Sequence, residues 1–168
     1  MDIFIEGCRR EGDIMQNQIK VKIKYLSSAV GETIKPPFYA TDGSAGMDLS
    51  ACIEEPITLK PGDKVIIPTG IAIGLPSKAH VALIFARSGL GIKQGITMAN
   101  GVGVIDSDYT GEIMCGLVHL GSEAYTIYPG DRIAQMVFMP VAIAMLVPTD
   151  YLDNTTRGAG GLGSTGVK

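Results

Sequence analysis

Short β-type segments, separated by glycine and proline, follow one another along nearly the whole chain and limit its fold most. Residues 19–25 alternate apolar side chains with lysine, which is the pattern of a half-buried strand. Further strands are predicted at 71–75, 80–86, 112–120, 124–128 and 133–141. The only helix that we predict is a short one inside 88–94. The chain is therefore expected to be all-β.

One internal similarity refines this expectation. Residues 57–65 and 125–133 each place a Pro-Gly-Asp turn between two strands. Two related hairpins in one β domain favour a distorted jelly roll or β-barrel. We expect residues 1–17 to be an N-terminal extension of unknown role, 18–152 the β domain, and 153–168 a mobile glycine-rich tail.

Charge and composition exclude several classes of function. The net charge of −3 over 168 residues gives no basic field for nucleic acid. Cys8, Cys52 and Cys115 form no CxxC pair, which argues against a disulfide framework and a zinc site. The sequence shows neither a membrane-spanning apolar run nor a secretory signal, so we expect a cytoplasmic enzyme or binding protein.

The last twelve residues, RGAGGLGSTGVK, carry the clearest chemical signal. Their G-x-G-x-x-G pattern is not a dinucleotide fingerprint, because no βαβ unit surrounds it. Glycines nevertheless let backbone N–H groups approach an anion, and arginine, serine and threonine add donors. The tail therefore predicts a phosphate clamp.

Four other stretches join this tail in a recognisable order: 45–49, 86–91, 100–112 and 130–135. They include I-D-S-D-Y-T-G-E at 105–112, and the tail contributes R-G-A-G-G-L-G-S-T-G at 157–166. Together they resemble the trimeric dUTP diphosphatases (dUTPases) from about residue 19 to the end. The resemblance implies Mg²⁺-dependent hydrolysis of dUTP to dUMP and pyrophosphate, which limits uracil in DNA and supplies dUMP for dTMP synthesis.

In this family, water attacks the α-phosphorus. The resemblance assigns Asp106 as the general base, although an aspartate in such a loop more commonly caps local N–H groups. Asp48 matches an acidic residue near Mg²⁺ and would act through water, or would order its own loop. The phosphates would be bound by residues of two stretches and the tail, namely Arg87, Ser88, Gly89, Gln135, Arg157, Gly161, Gly163, Ser164 and Thr165. Arg87 would alternatively brace the contact between subunits.

Selection of base and sugar is implied for residues 96–114. Asn100 and the hairpin containing Gly103, Val104 and Ile105 would pair with uracil and exclude a thymine methyl. The ring of Tyr109 would lie under the deoxyribose and reject a 2′-hydroxyl, unless it is an ordinary strand tyrosine. Met114 would close the far side of the pocket.

One position departs from the family. Many members have phenylalanine where this chain has Leu162, and that ring stacks on uracil, a contact worth roughly 1–3 kcal/mol. The resemblance also implies a homotrimer whose tails complete neighbouring sites. Two alternatives remain: a dCTP deaminase of the same fold, and a non-catalytic protein that senses nucleotides or binds partners.

Overall fold

A computed structural model of the chain describes residues 18–161. Within these residues the chain forms eleven strands and one short helix, so the prediction of an all-β fold is confirmed. The helix α1 is Ser88–Gln94. The strands are β1 (Lys22–Tyr25), β2 (Phe38–Tyr39), β3 (Met47–Ser50), β4 (Ile57–Leu59), β5 (Lys64–Gly74), β6 (His80–Ala86), β7 (Ile96–Met98), β8 (Gly103–Ile105), β9 (Glu112–His119), β10 (Tyr125–Ile127) and β11 (Arg132–Pro140).

Two antiparallel sheets and a small third one surround a single core. One sheet has the order β1-β5-β9-β7, the other has the order β2-β3-β11-β6-β8, and β4 pairs with β10. One cluster of buried apolar side chains draws on all three sheets, and it includes Leu49, Ile67, Ile84, Cys115, Ile127 and Met136. Burial of this apolar surface is the main stabilising contribution. The result is a jelly-roll-like domain.

The two Pro-Gly-Asp segments form equivalent turns. The carboxylate of Asp63 accepts the N–H of Lys60 at 2.8 Å, and that of Asp131 accepts the N–H of Tyr128 at 2.8 Å. The turn glycines have φ of 89° and 82°, a conformation that favours glycine. β4 and β10 pair so that Thr58 faces its counterpart Thr126, which relates the two segments by an approximate two-fold axis. The prediction that each segment is a hairpin is wrong, because β4 and β10 pair with each other, whereas β5 pairs with β1 and β9, and β11 pairs with β3 and β6.

Most predicted boundaries agree with the structure to within one residue, and those of β6 and α1 agree fully. Two strands are exceptions, because β1 begins at Lys22, three residues later than the predicted 19–25, and β5 begins at Lys64, seven residues earlier than the predicted 71–75. A bulge between Pro68 and Ala72 lets this long strand bend past a proline and a glycine. Because proline and glycine usually interrupt strands, the sequence pattern did not predict one continuous strand here.

Three further local expectations were wrong. The four residues of β1 are all exposed, because in this chain only the edge of β5 lies against them, so the strand is not half-buried. Residues 47–49 belong to a strand between β2 and β11 rather than to a loop. The turn at 99–102 is no hairpin, since β7 pairs with β9 and β8 pairs with β6 in the other sheet.

Beyond β11 the described chain continues to Gly161 without further strands. Apolar side chains at Ile143, Leu146, Tyr151 and Leu152 are exposed there. The residues that the structure describes include no helix long and apolar enough to cross a membrane.

Candidate active site

Asp48 is the centre of the best-defined cluster of charges. It lies in β3, between Phe38 of β2 and Gln135 of β11, and only 7% of its surface is exposed. Its Oδ1 accepts a hydrogen bond from Nε of Arg87 at 2.7 Å, and its Oδ2 accepts one from Nη1 of Arg132 at 2.9 Å. A buried carboxylate requires such partners. Asp48 therefore orders two cationic side chains from different elements.

Arg87 immediately precedes α1, and its backbone is extended, with φ −85° and ψ 133°. Besides its bond to Asp48, its Nη1 donates to the main-chain oxygen of Arg132 at 3.1 Å. A guanidinium has five N–H donors, so others remain for a ligand. The turn into α1 brings Ser88 and Gly89 beside this guanidinium.

Gln135 closes the opposite wall. Its amide nitrogen donates to the main-chain oxygen of Ala86 at 2.9 Å, which holds the side chain across β6. The amide lies against Gly46, where an added Cβ would come within 2.8 Å of Oε1 of Gln135. Glycine at this position therefore makes room for the glutamine side chain.

A cleft of about 320 Å³ lies between these groups. Its lining comprises Ala40, Ser44, Ala45, Gly46, Asp48, Phe85, Arg87, Ser88, Gly89, Gln135 and Val137. The sequence predicted Asp48, Arg87, Ser88, Gly89 and Gln135 at one site, and the structure brings all five together. A partly neutralised arginine, a hydroxyl and an amide suit a phosphate group.

The residues predicted to select base and sugar form a second group. Asn100 precedes Gly101, whose φ of 74° makes the tight turn into β8. Gly103 is buried against Ile84, where a Cβ would come within 3.0 Å of Cβ of Ile84. Val104 is exposed and Ile105 is half-buried, so this strand presents a backbone edge and small apolar side chains.

Asp106 and Tyr109 follow β8. Both side chains are exposed, and among the described residues the carboxylate of Asp106 accepts no hydrogen bond. The alternative role of this aspartate, as a cap of local N–H groups, is therefore not seen among the described residues. The hydroxyl of Tyr109 donates to the main-chain oxygen of Glu112 at 2.8 Å, which holds its ring over Gly111.

The two groups do not share one cleft within this chain. Asn100, Asp106, Tyr109 and Met114 are absent from the lining of the 320 Å³ cleft. Met114 is exposed on β9, in register with Pro68.

The predicted tail is described only in part. Nε of Arg157 donates to the main-chain oxygen of Gly160 at 3.1 Å in an exposed turn. Gly161 is exposed, and a Cβ added to it would meet no other described atom within 4 Å. Neither Arg157 nor Gly161 lines the cleft. Leu162, Gly163, Ser164 and Thr165 lie outside the described residues, as do residues 1–17.

Sequence reasoning missed Arg132. The residue stands in the stretch 130–135, and its counterpart in the other Pro-Gly-Asp segment is Lys64, so a cation there looked like part of a surface turn. Only the pairing of β11 with β3 places it beside Asp48. The position of Arg132 beside Asp48 therefore depends on the pairing of distant strands and not on a local sequence pattern.

The described residues contain no group of three or more His, Cys, Asp or Glu side chains that could hold a metal ion. Asp48 uses one lone pair of each oxygen for an arginine, and a carboxylate offers about four such positions. The donor set therefore does not fit a cage of protein ligands. It does fit a cation that is bound by phosphate oxygens and by water, with Asp48 accepting hydrogen bonds from that water.

Comparison with known proteins gives a consistent result. Residues 32–166 match the family model dUTPase. The chain is 54% identical over 151 residues to the deoxyuridine 5′-triphosphate nucleotidohydrolase of Desulfitobacterium hafniense, covering 90% of this chain and 99% of the relative. It is 52% identical over 146 residues to the protein of the same name from Hahella chejuensis, covering 87% and 96%.

Solved structures agree in fold. The dUTPase of Staphylococcus bacteriophage 80alpha with dUpNHpp has a TM-score of 0.77 at 24% identity, covering 88% of this chain and 99% of that one. A mutant dUTPase from phage phi11 of S. aureus, which coordinates a structural Mg(II) ion, has a TM-score of 0.69 at 22% identity, covering 80% and 99%. At these identities the likeness concerns the fold.

Proposed function

The chain belongs to the dUTPase family, and we propose that it hydrolyses dUTP to dUMP and pyrophosphate. The observation that carries this proposal is the cleft in which Arg87, Ser88 and Gln135 converge beside the buried Asp48. These groups suit a triphosphate, and the relatives of about 50% identity are nucleotidohydrolases of dUTP by name.

The triphosphate would lie across this cleft. The hydroxyl of Ser88 and the N–H of Gly89 would bind the phosphates nearest the nucleoside, and the free N–H donors of Arg87 would offset their charge. Gln135 has one N–H left after its bond to Ala86 and would bind the far end. In-line attack requires the chain of phosphates to be held in one conformation, which these fixed donors supply.

Mg²⁺ would bind to phosphate oxygens and water, with Asp48 accepting hydrogen bonds from that water. When bound, the ion supplies Lewis-acid polarisation of the phosphates. Asp48 would add a hydrogen-bonding partner on the protein side, while the two arginines keep it in place. We assign Asp48 as an outer-sphere ligand, because the described residues offer no group of side chains that could bind the ion directly.

Asp106 would be the general base that receives a proton from the attacking water. Its carboxylate is exposed and unengaged by other described residues, so it can bind water. Asn100, Gly103, Val104 and Ile105 would bind uracil through the turn into β8, and Met114 would border that pocket. Tyr109 would exclude a 2′-hydroxyl with a ring that is already fixed.

A homotrimer with shared sites would bring the two groups of residues together. Two features support it. The nucleoside group is not part of the lining of the cleft, and the segment after β11 exposes Ile143, Leu146 and Leu152, apolar surface that a neighbouring copy could cover. Residues 153–168 would then close over a site, with Arg157, Gly161, Gly163, Ser164 and Thr165 at the phosphates and Leu162 over the base.

The cytoplasmic location and the division into 1–17, 18–152 and 153–168 stay predictions. No described feature favours the dCTP deaminase or the non-catalytic alternative, but both make distinct predictions in one assay. Pyrophosphate release is measured with Mg²⁺ from dUTP, UTP, dTTP and dCTP, and the base of each product is identified. We expect rapid release from dUTP alone. Deamination of dCTP, or no reaction with a folded protein, would contradict the proposal.

The role of Asp106 is tested separately with Asp106→Asn, which keeps the size of the side chain but removes most of its basicity. We expect dUTP turnover to fall by roughly a hundredfold or more, because general-base catalysis contributes about 10²–10⁴. The control is Asp108→Asn, two residues along the same exposed loop, which should retain activity. Undiminished turnover in Asp106→Asn would reject the assignment.

A further inference from the structure

Two arginines from distant parts of the chain share one buried carboxylate. Arg87 precedes α1 and binds Oδ1 of Asp48 at 2.7 Å, whereas Arg132 opens β11 and binds Oδ2 at 2.9 Å. Nη1 of Arg87 also donates to the main-chain oxygen of Arg132 at 3.1 Å. The three residues therefore form a closed cluster in which each contacts the other two.

The charges in this cluster add up to +1. Arg132 occupies the second oxygen of Asp48, which prevents that carboxylate from turning both oxygens towards Arg87 in a bidentate pair. Arg87 thus keeps part of its charge and several N–H donors for a ligand. Without Arg132 the remaining pair would be neutral, and Asp48 could take up the donors of Arg87.

Arg132 itself lies one step away from the cleft. Arg87 and Asp48 line the cleft of about 320 Å³, whereas Arg132 is not among its lining residues. The side chain of Arg132 is 45% exposed and that of Asp48 only 10%, so the contact is made at the edge of the cluster. An effect of Arg132 on a bound phosphate therefore has a direct route through Asp48 and Arg87.

We propose that Arg132 is a positioning residue for dUTP hydrolysis. It holds Asp48 so that the guanidinium of Arg87 remains fixed and incompletely neutralised beside the triphosphate. This inference rests on the proposed function, because it needs a phosphate in the cleft. Neither the nucleoside group at 100–114 nor the tail is involved.

The test uses Arg132→Met, which removes the charge and the hydrogen bonds. Lys64→Met is the matched control, because Lys64 occupies the equivalent position after the other Pro-Gly-Asp turn and lies outside the cluster. Arg132→Lys keeps a cation within reach of Oδ2. We expect Arg132→Met to lower kcat/KM for dUTP about fivefold, which corresponds to the roughly 1 kcal/mol of a partly exposed ion pair, while Arg132→Lys regains most of the loss.

A double-mutant cycle with Arg87→Met separates positioning from direct contact. In the Arg87→Met background, Arg132→Met should change kcat/KM by less than about twofold, because the group it positions is gone. The affinity for the non-hydrolysable analogue dUpNHpp is measured in the unmodified protein, the two single variants and the double variant. The four proteins can then be compared even when their turnover is slow. The ratio of dUTP to UTP turnover should stay unchanged, since the nucleoside group lies elsewhere.

Two results would overturn the inference. An equal loss in both backgrounds would mean that Arg132 binds substrate or acts as a distant charge. Full activity in Arg132→Met would mean that Arg132 does not contribute to hydrolysis. Thermal unfolding accompanies each assay, and Arg132→Gln, with the same expectation, replaces a Met variant that does not fold. If the unmodified protein does not hydrolyse dUTP, the proposed function fails instead, which is a different outcome.

Discussion

The hydroxyl of Tyr109 reaches the main-chain oxygen of Glu112 at 2.8 Å, and its ring thereby covers Gly111. A Cβ at position 111 would lie 2.6 Å from that hydroxyl oxygen and 2.7 Å from Cζ. Glu112 is fixed in turn, because its Oε1 accepts the N–H of Gly70 in the bulge of β5. The ring assigned to sugar selection is therefore held through Glu112, which is itself bound to β5, before any nucleotide binds.

Gly111→Ala should weaken the distinction between dUTP and UTP. The added methyl group forces the ring of Tyr109 away from its position, which opens space near the 2′-carbon of the sugar. We expect the ratio of kcat/KM for dUTP over UTP to fall about tenfold, within the range that one pocket contact usually supplies. Gly116→Ala on the following strand is the control, because nothing lies within 4 Å of its Cβ position. An unchanged ratio would argue against Tyr109 as the selecting group.

The equivalent Pro-Gly-Asp turns offer a matched pair of variants. Asp63→Ala and Asp131→Ala each remove one hydrogen bond to a turn N–H, so each should lower the free energy of unfolding by about 1 kcal/mol and Tm by roughly 2–4 °C. Urea and thermal unfolding measure this. Only Asp131→Ala should also lower dUTP turnover, because Arg132 follows it directly. Equal losses of activity in both variants would point to a general effect on folding.

Much of this architecture could be predicted from local patterns. The strand at 80–86 was predicted with its observed limits, the helix was predicted inside 88–94, and the turns at 61–63 and 129–131 were predicted from their residues, although the strands that flank each turn lie in different sheets. Such features depend on neighbours in sequence, where periodicity and glycine or proline preferences act directly.

What escaped prediction depends on contacts between distant residues. Asp48 was expected in a loop, yet strands β2 and β11 pair on either side of it, and Arg132 reaches it from 84 residues away. The half-buried character expected of β1 needs a covering surface, which this single chain does not provide. Periodicity shows which side chains could share a face, but not what lies against that face.

Cys115 gives the domain a defined response to alkaline pH. Burial raises the pKa of its thiol from 9.0 to about 12, so the folded state retains a proton that the unfolded state loses. The stabilisation is complete below about pH 9 and disappears as pH rises to 12. Across that window the free energy of unfolding should fall by an additional ~1.4 kcal/mol per pH unit.

Cys115→Ala isolates this contribution. The variant is less stable at every pH because of the cavity that it creates, but its unfolding free energy should decline less steeply above pH 9 than that of the unmodified protein. Denaturant unfolding at several alkaline pH values gives both slopes, and other alkaline titrations cancel in the difference. Identical slopes would show that the thiol does not retain its proton on folding.

The central claim is hydrolysis of dUTP by attack of water on the α-phosphorus, and the position of oxygen from solvent tests it most directly. The protein is allowed to turn over dUTP once in ¹⁸O-labelled water with Mg²⁺, and the products are separated and weighed by mass spectrometry. The account predicts that one ¹⁸O atom appears in dUMP and none in pyrophosphate. Label in pyrophosphate would place the attack on the β-phosphorus, and intact dUTP would contradict the proposed activity itself.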